Sequence, residues 1–166
     1  MRQVPERVAI RPFAPADLEA IVDIAAAAWA PILRHLEHLQ RQALGAVARS
    51  PDIQDKRDQV RRFAFEHPDW VLVSELDGEV VAFITYSLDR ERLIGTIGNN
   101  AVAPEHAGRG IGTRQYYGVL DLFRQEGMLY ASVTTGLDES HAAARRAYEK
   151  AGFVPVFPHI EYMARL

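Results

Sequence analysis

No cysteine occurs in the 166 residues, which excludes disulfides, thiolate metal ligands and a cysteine nucleophile together. Long apolar runs are also missing. No segment approaches the roughly 18 to 20 apolar residues that cross a bilayer, and residues 1–7 hold no apolar stretch of signal-peptide length. A cytoplasmic protein with no membrane partner is therefore expected. Neither charge is in marked excess: 19 Lys and Arg face 22 Asp and Glu, for a net charge of -3. Such a balance offers no general attraction to nucleic acid, so any anion must be met by a local group. Internal repeats, low-complexity tracts and linkers are absent too.

What is present is ordinary globular material, 48% hydrophobic and 25% charged, enough for one domain spanning 1–166 with a sizeable core. Val8, Ile10 and Pro12 read as a short first strand. Pro15 and Asp17 suit a helix start, followed by an apolar face of Leu18, Ile21, Val22, Ala25 and Trp29. Pro31 is expected to interrupt that helix, with a second helix over 32–48 and a third, more charged, over 52–67. Strand patterns cover 70–76 and 79–87, joined by the hairpin signal Asp77-Gly78. A further strand is expected over 93–102, where Gly95 and Gly98 point to a bulge or a close backbone approach. Pro104 and a glycine-rich turn lead into a helix with Tyr116, Val119, Leu120 and Phe123 on one face, closed by Gly127. A strand over 128–135, a helix over 140–151 ending at Gly152, and an extended run over 153–163 broken by Pro155 and Pro158 complete the chain.

The turn Gly108-Arg109-Gly110-Ile111-Gly112 carries the chemistry. Glycine lets a ligand approach the backbone, and the first amides of a helix lack partners and lie at the positive end of its dipole. A phosphate or pyrophosphate suits such a place, with Arg109 and Arg114 adding charge. A P-loop is excluded, because Gly112 is followed by Thr113-Arg114 with no lysine, and a dinucleotide fingerprint fails where Thr113 replaces its third glycine. Taken alone, the turn also fits a helix merely packed on a sheet.

The run from Val102 through Ala103-Pro104-Glu105-His106-Ala107 to Gly112 resembles the GNAT acetyltransferase motif of Gln or Arg, two residues, Gly, any residue, Gly or Ala. Ala107 stands where the family usually has Gln or Arg. About forty residues later, Ala144-Arg145-Arg146-Ala147-Tyr148-Glu149-Lys150-Ala151-Gly152-Phe153 resembles the family's second signature, with His141 in place of its usual asparagine. The resemblance implies an α/β fold, a mixed and mostly antiparallel sheet flanked by helices, with a splayed strand pair at the acyl-CoA site. It implies a transferase using acetyl-CoA without a metal, an N-acetyltransferase acting on a primary amine through a tetrahedral intermediate. By resemblance the cofactor contacts fall on Asn100, Ala101, Val102, Gly108, Arg109, Gly110, Ile111, Gly112, Thr113 and His141. Residues 8–67 would carry the acceptor side, 70–135 the central sheet with the glycine-turn helix, and 138–166 the last helix and strands. The family often dimerises, and a homodimer would use the final strand as its edge.

Amine acylation needs a neutral amine, a stabilised oxyanion and a proton for the departing thiolate. Tyr148 is the candidate acid, the alternative being a core helix tyrosine. For the base, Glu75, His141, His159 and Glu161 remain open, whereas Asn99 and Asn100 cannot accept an ammonium proton at neutral pH. His35 and His38, with His67 or Asp52, read as a solvated face rather than a metal site. Lys56, Arg57, Arg61 and Arg62, interleaved with Asp55 and Asp58, read as an exposed helix. Trp29, Phe65 and Tyr86 are pocket or core aromatics. The rival from another class is a non-catalytic acyl-CoA sensor or scaffold, and a nucleotide-binding protein stands third.

Overall fold

Residues 8–46, 52–158 and 162–164 are described by the computed structural model. Strands β1 (Ala9–Pro12), β2 (Val71–Leu76), β3 (Glu79–Asp89), β4 (Ile94–Val102) and β5 (Tyr130–Val133) form one sheet in chain order. The first three pairings are antiparallel and β4 with β5 is parallel. The central strands are covered on both sides, and alternation divides their side chains between two cores. Val71, Val73, Phe83 and Ala101 meet Ile21, Val22 and Ala25 of α1 (Leu18–Leu44) and Val60 and Ala64 of α2 (Ile53–Glu66). On the other face Leu72, Ile84, Tyr86 and Ile97 pack with Tyr116, Val119 and Phe123 of α3 (Ile111–Gln125) and Tyr148 of α4 (Ala142–Lys150). Buried on both faces, such strands need near-continuous apolar sequence, which residues 71–73 and 81–84 supply.

The β2–β3 hairpin turns at Asp77 and Gly78, with φ of 52° and 87°, the left-handed pair that a two-residue hairpin favours. Both glycine signals in β4 have structural causes. A Cβ on Gly95 would lie 2.5 Å from Cγ of Phe123, so the missing side chain admits that ring. Gly98 and Asn99 together face only Thr85 between the Ile84–Asn100 and Tyr86–Ile97 pairs, a β-bulge.

Pro31 does not interrupt the first helix: α1 runs through it to Leu44 and closes on Gly45 at φ 70°. An internal proline forfeits one backbone bond, but Pro31 and Ala27, whose carbonyl loses that partner, both face solvent. The freed carbonyl is on the exposed side, where solvent can satisfy it, while the buried stripe from Ile21 to Ala26 holds the helix. The end expected at Ala48 lies outside the described residues. Helix α2 matches expectation, capped by Asp52, which accepts from the Gln54 amide at 3.1 Å. No strand forms among the described residues of 153–163, where two prolines remove ladder donors. Among the described residues β1 and β5 are the two edges of the sheet.

Candidate active site

The parallel pair β4 and β5 is joined only from Ile94–Tyr130 to Ile97–Val133. Beyond Ile97, β4 keeps its β3 partners but has none from β5. The strands diverge there, and the backbone of Asn100, Ala101 and Val102 lines the gap.

The glycine turn lies just past the end of β4. Gly108 and Gly110 take φ of 72° and 81°, a region that costs other residues about 1–2 kcal/mol, and a Cβ on Gly108 would meet no atom within 4 Å. The Ala107 amide closes a short turn on the Pro104 carbonyl at 3.1 Å, and the Arg114 amide makes the first helical bond to Gly110 at 3.1 Å. Between them the amides of Gly108, Arg109, Gly110, Ile111, Gly112 and Thr113 have no acceptor among the described residues. Such a run of unpaired donors at a helix start suits a diphosphate. Packing does not explain the run, since a Cβ on Gly112 would sit at an ordinary 3.5 Å from Val102. The Arg109 guanidinium rests on Nδ1 of His106 at 2.9 Å.

Across the gap from this turn, β4 meets the two helices behind it through Asn100. Its Oδ1 accepts from the Tyr116 hydroxyl at 2.8 Å, and its Nδ2 donates to the Gly98 carbonyl and to the Tyr148 hydroxyl, both at 3.1 Å. The rings of Tyr116 and Tyr148 lie 4.7 Å apart. The Tyr148 oxygen accepts from Nδ2, and its own hydrogen is given only to Asn100 Oδ1 over a long 3.4 Å, a weak bond that a better acceptor would displace. Burial, then the neighbouring Tyr148 hydroxyl, push the Tyr116 phenol far above its usual range. Tyr116 was expected only as a core position. Its signal lay in helical spacing, five residues past the turn's Ile111, on the face that carries Val119 and Phe123.

On the opposite side of β4, as strand alternation requires, Asn99 accepts from Lys56 Nζ at 3.1 Å. Lys56 also donates to Gln59 at 2.6 Å and lies 4.5 Å from the centroid of Trp29. It is therefore not a fully solvated helix cation: burial lowers its pKa. A cavity of about 400 Å³ opens here, lined by Trp29, Ile32, Leu33, Leu36, Asp52, Asp55, Lys56, Gln59 and His141. The segment 134–141 leads from β5 past α1 to the start of α4, which brings His141 to the edge of this cavity.

Other candidates are placed elsewhere. Glu75 is engaged by Arg11 at 2.8 Å, and the same guanidinium grips Asp17 at 2.7 and 2.9 Å. Tyr86 belongs to the α3-side core, its hydroxyl on the Asp69 carbonyl at 2.8 Å, and Phe65 is 84% exposed. Of the three aromatics only Trp29 borders the cavity. Arg57 pairs with Asp23 and Arg61 with Glu19 and Asp58. His159 and Glu161 lie outside the described residues. Among the described residues no group of three or more metal-ligating side chains occurs, and no helix is long and apolar enough to cross a membrane.

A family model described as the acetyltransferase (GNAT) family matches residues 32–153. Among solved structures the chain is similar to the PaiA N-acetyltransferase of Thermoplasma acidophilum in complex with coenzyme A, at 15% identity and TM-score 0.69 over 89% of each chain. It is similar to a GNAT family acetyltransferase of Brucella melitensis in complex with acetyl-CoA, at 23% identity and TM-score 0.61 over 96% of this chain and 98% of that one. Ard1 from Thermoplasma volcanium aligns at 24% identity and TM-score 0.63 over 90% and 84%. At these identities the likeness carries the fold. No curated protein matches the chain.

Proposed function

Because this chain belongs to the GNAT acetyltransferase family, we propose that it moves an acetyl group from acetyl-CoA to a primary amine by direct attack, with Tyr148 as the acid. One observation carries the reading: the run of acceptor-free amides from Gly108 to Thr113 stands at the same end of β4 as its divergence from β5. The amides would receive the diphosphate of coenzyme A. The backbone of Asn100, Ala101 and Val102, paired with β3 on one side and without a β5 partner on the other, would take the extended arm of the carrier along that open side, as an edge strand takes a partner. A backbone amide there would donate to the thioester oxygen, which gains charge as the amine adds.

The proton is supplied from behind β4. Asn100 holds the Tyr148 oxygen through Nδ2, and the hydroxyl hydrogen, held only by the long contact to Oδ1, would turn to the sulfur that departs. The thiol formed has an ordinary pKa of about 8.5, so a phenol can protonate its thiolate without becoming a strong acid. The acceptor would enter from the α1–α2 side, where Trp29, Asp52 and Asp55 suit a cation with an apolar body.

Calorimetry with acetyl-CoA, then thiol release across a panel of primary amines, tests the reading. Binding with turnover supports it. Binding without turnover on any amine replaces it with an acyl-CoA sensor, and tight binding of ATP without coenzyme A refutes both.

A further inference from the structure

We propose that His141, oriented by Asp138, is the base that takes the proton from the acceptor ammonium at the α1–α2 cavity. This rests on the acetyl-transfer reading above. Nδ1 of His141 lies 2.7 Å from Oδ2 of Asp138. An ionised carboxylate only accepts, so Nδ1 carries the hydrogen and Nε2 keeps its lone pair. Nε2 has no hydrogen-bond partner among the described residues, and His141 borders the cavity beside Trp29, Leu36 and Lys56.

The local chain is shaped to hold this pair. Asp138 also accepts from the Ser140 amide at 3.0 Å and from the Ser140 hydroxyl. Arg145 reaches back from α4 to the carbonyls of Gly136 and Asp138, both at 2.7 Å, and ties down the turn. A Cβ on residue 136 would stand 2.6 Å from Nδ1 of His141 and collide with Oδ2 of Asp138. Glycine at 136 therefore admits the two side chains against the backbone. Burial would raise the Asp138 pKa, but the hydrogen bonds from Ser140 and His141 outweigh it and hold the carboxyl at about 2, so it stays ionised.

Position relative to the acid completes the case. His141 caps the N-terminal end of α4 and Tyr148 follows two turns on, roughly 10 Å along the helix axis. Lys56 is the other nitrogen base at hand, but its Nζ is committed to Gln59, Asn99 and the Trp29 face. The charged and titratable groups facing His141 are Asp138 and Arg145 from its own segment, His35 from α1, whose Nε2 is 4.0 Å from Asp138, and Asp52, Asp55 and Lys56 from α2.

In the step, Nε2 takes one proton from the ammonium and passes it to solvent. The freed nitrogen pair forms the C–N bond as the carbonyl pair moves to oxygen. Collapse breaks the C–S bond, sulfur leaves with the pair and takes the Tyr148 proton, and Tyr148 regains one through water from the new amide nitrogen. Asp138 is a positioning residue.

The test uses full-length His141→Ala, His141→Gln and Asp138→Asn with primary alkylamines, each paired with the isosteric alkoxyamine, which is neutral at pH 7. For alkylamines kcat/KM should fall about 10²- to 10³-fold in the His141 variants, with loss of the acid limb of the pH profile and an acetyl-CoA Kd within about twofold of wild type. For alkoxyamines the loss should shrink below about tenfold, since no ammonium proton needs removal. Equal losses for both acceptors, or an acetyl-CoA Kd raised more than about tenfold, would overturn the proposal and make His141 a positioning or cofactor contact. Independently of turnover, nitrogen NMR of the neutral His141 ring should find the hydrogen on Nδ1 and should find it displaced in Asp138→Asn; a wild-type ring protonated on Nε2 overturns the proposal. A wild type that binds acetyl-CoA but acetylates no amine refutes the transfer reading itself, and this inference with it.

Discussion

Replacing Tyr148 with Phe removes one hydroxyl and leaves the ring packed against Tyr116 at 4.7 Å and Phe153 at 5.9 Å. Two losses follow, and their sizes differ. Asn100 Nδ2 keeps the Gly98 carbonyl but loses the Tyr148 oxygen, leaving one N–H unpaired at a half-buried position, which costs about 1 kcal/mol. In a chain of this length that lowers Tm by about 2–4 °C and leaves nearly every molecule folded, given a typical stability of about 5–15 kcal/mol. Removal of a general acid lowers kcat by about 10²- to 10³-fold, or roughly 3–4 kcal/mol in the barrier. Unfolding cannot account for such a rate loss. Thiol release at saturating acetyl-CoA and amine measures kcat, calorimetry confirms that acetyl-CoA still binds, and thermal melting measures the structural term. Tyr116→Phe is the control. It also loses one hydrogen bond to Asn100, at 2.8 Å, and should lower Tm alike while keeping kcat within about fivefold. A Tyr148→Phe enzyme with kcat within about threefold of wild type and an unchanged pH profile would refute the acid assignment.

Gly108→Val places a branched residue at φ 72° in open space, so strain rather than collision acts: we expect a stability loss of about 1–2 kcal/mol and an acetyl-CoA Kd at least about tenfold weaker, by melting and calorimetry. Gly95→Ala should cost about 1–3 kcal/mol by overpacking, and Phe123→Leu in the same chain should recover part of it in urea unfolding. Pro31→Ala restores the missing donor on the solvent face of α1 and should stabilise by about 1–3 kcal/mol. Asp138, held at about 2 against an ordinary 3.8, is a depressed acid, so its contribution is complete above its unfolded value and disappears as pH falls through its folded one. The gap in urea midpoint between wild type and Asp138→Asn should be full above ~pH 4 and close toward ~pH 2.

The sheet and the glycine turn were legible because each rests on a local signal. Asp77-Gly78 marks a hairpin by its left-handed pair, and Gly95 and Gly98 mark a close approach and a bulge because a side chain at either would collide. Pro31 misled for an equally physical reason: its cost is legible locally, whereas the burial of Ile21 to Ala26 that holds α1 in place is set by packing against distant segments. The last segment misled because alternating apolar residues resemble a strand, yet Val154, Val156 and Phe157 stand 74%, 86% and 81% exposed, and the prolines among them cannot donate to a ladder. In sequence Tyr116 and Lys56 read only as a core position and an exposed cation, because their contacts join distant segments, and His141 reads without its partner Asp138, whose pairing with it depends on the turn geometry. Lys56 reaches Asn99 across 43 positions, and Asn100 reaches Tyr148 across 48.

This division also bears on Ala107, where the chain departs from the GNAT pattern of Gln or Arg. The Ala107 amide is already closed on Pro104, so the acceptor-free run begins one residue later, at Gly108, and owes nothing to the side chain at 107. Arg109 is likewise turned toward His106 at 2.9 Å. The cradle is thus a property of backbone geometry set by Gly108 and Gly110, and truncating Arg109 to Ala should weaken acetyl-CoA less than valine at 108 does. The reverse order in calorimetry would mean that charge rather than oriented amides holds the diphosphate, and that the glycines serve only the turn.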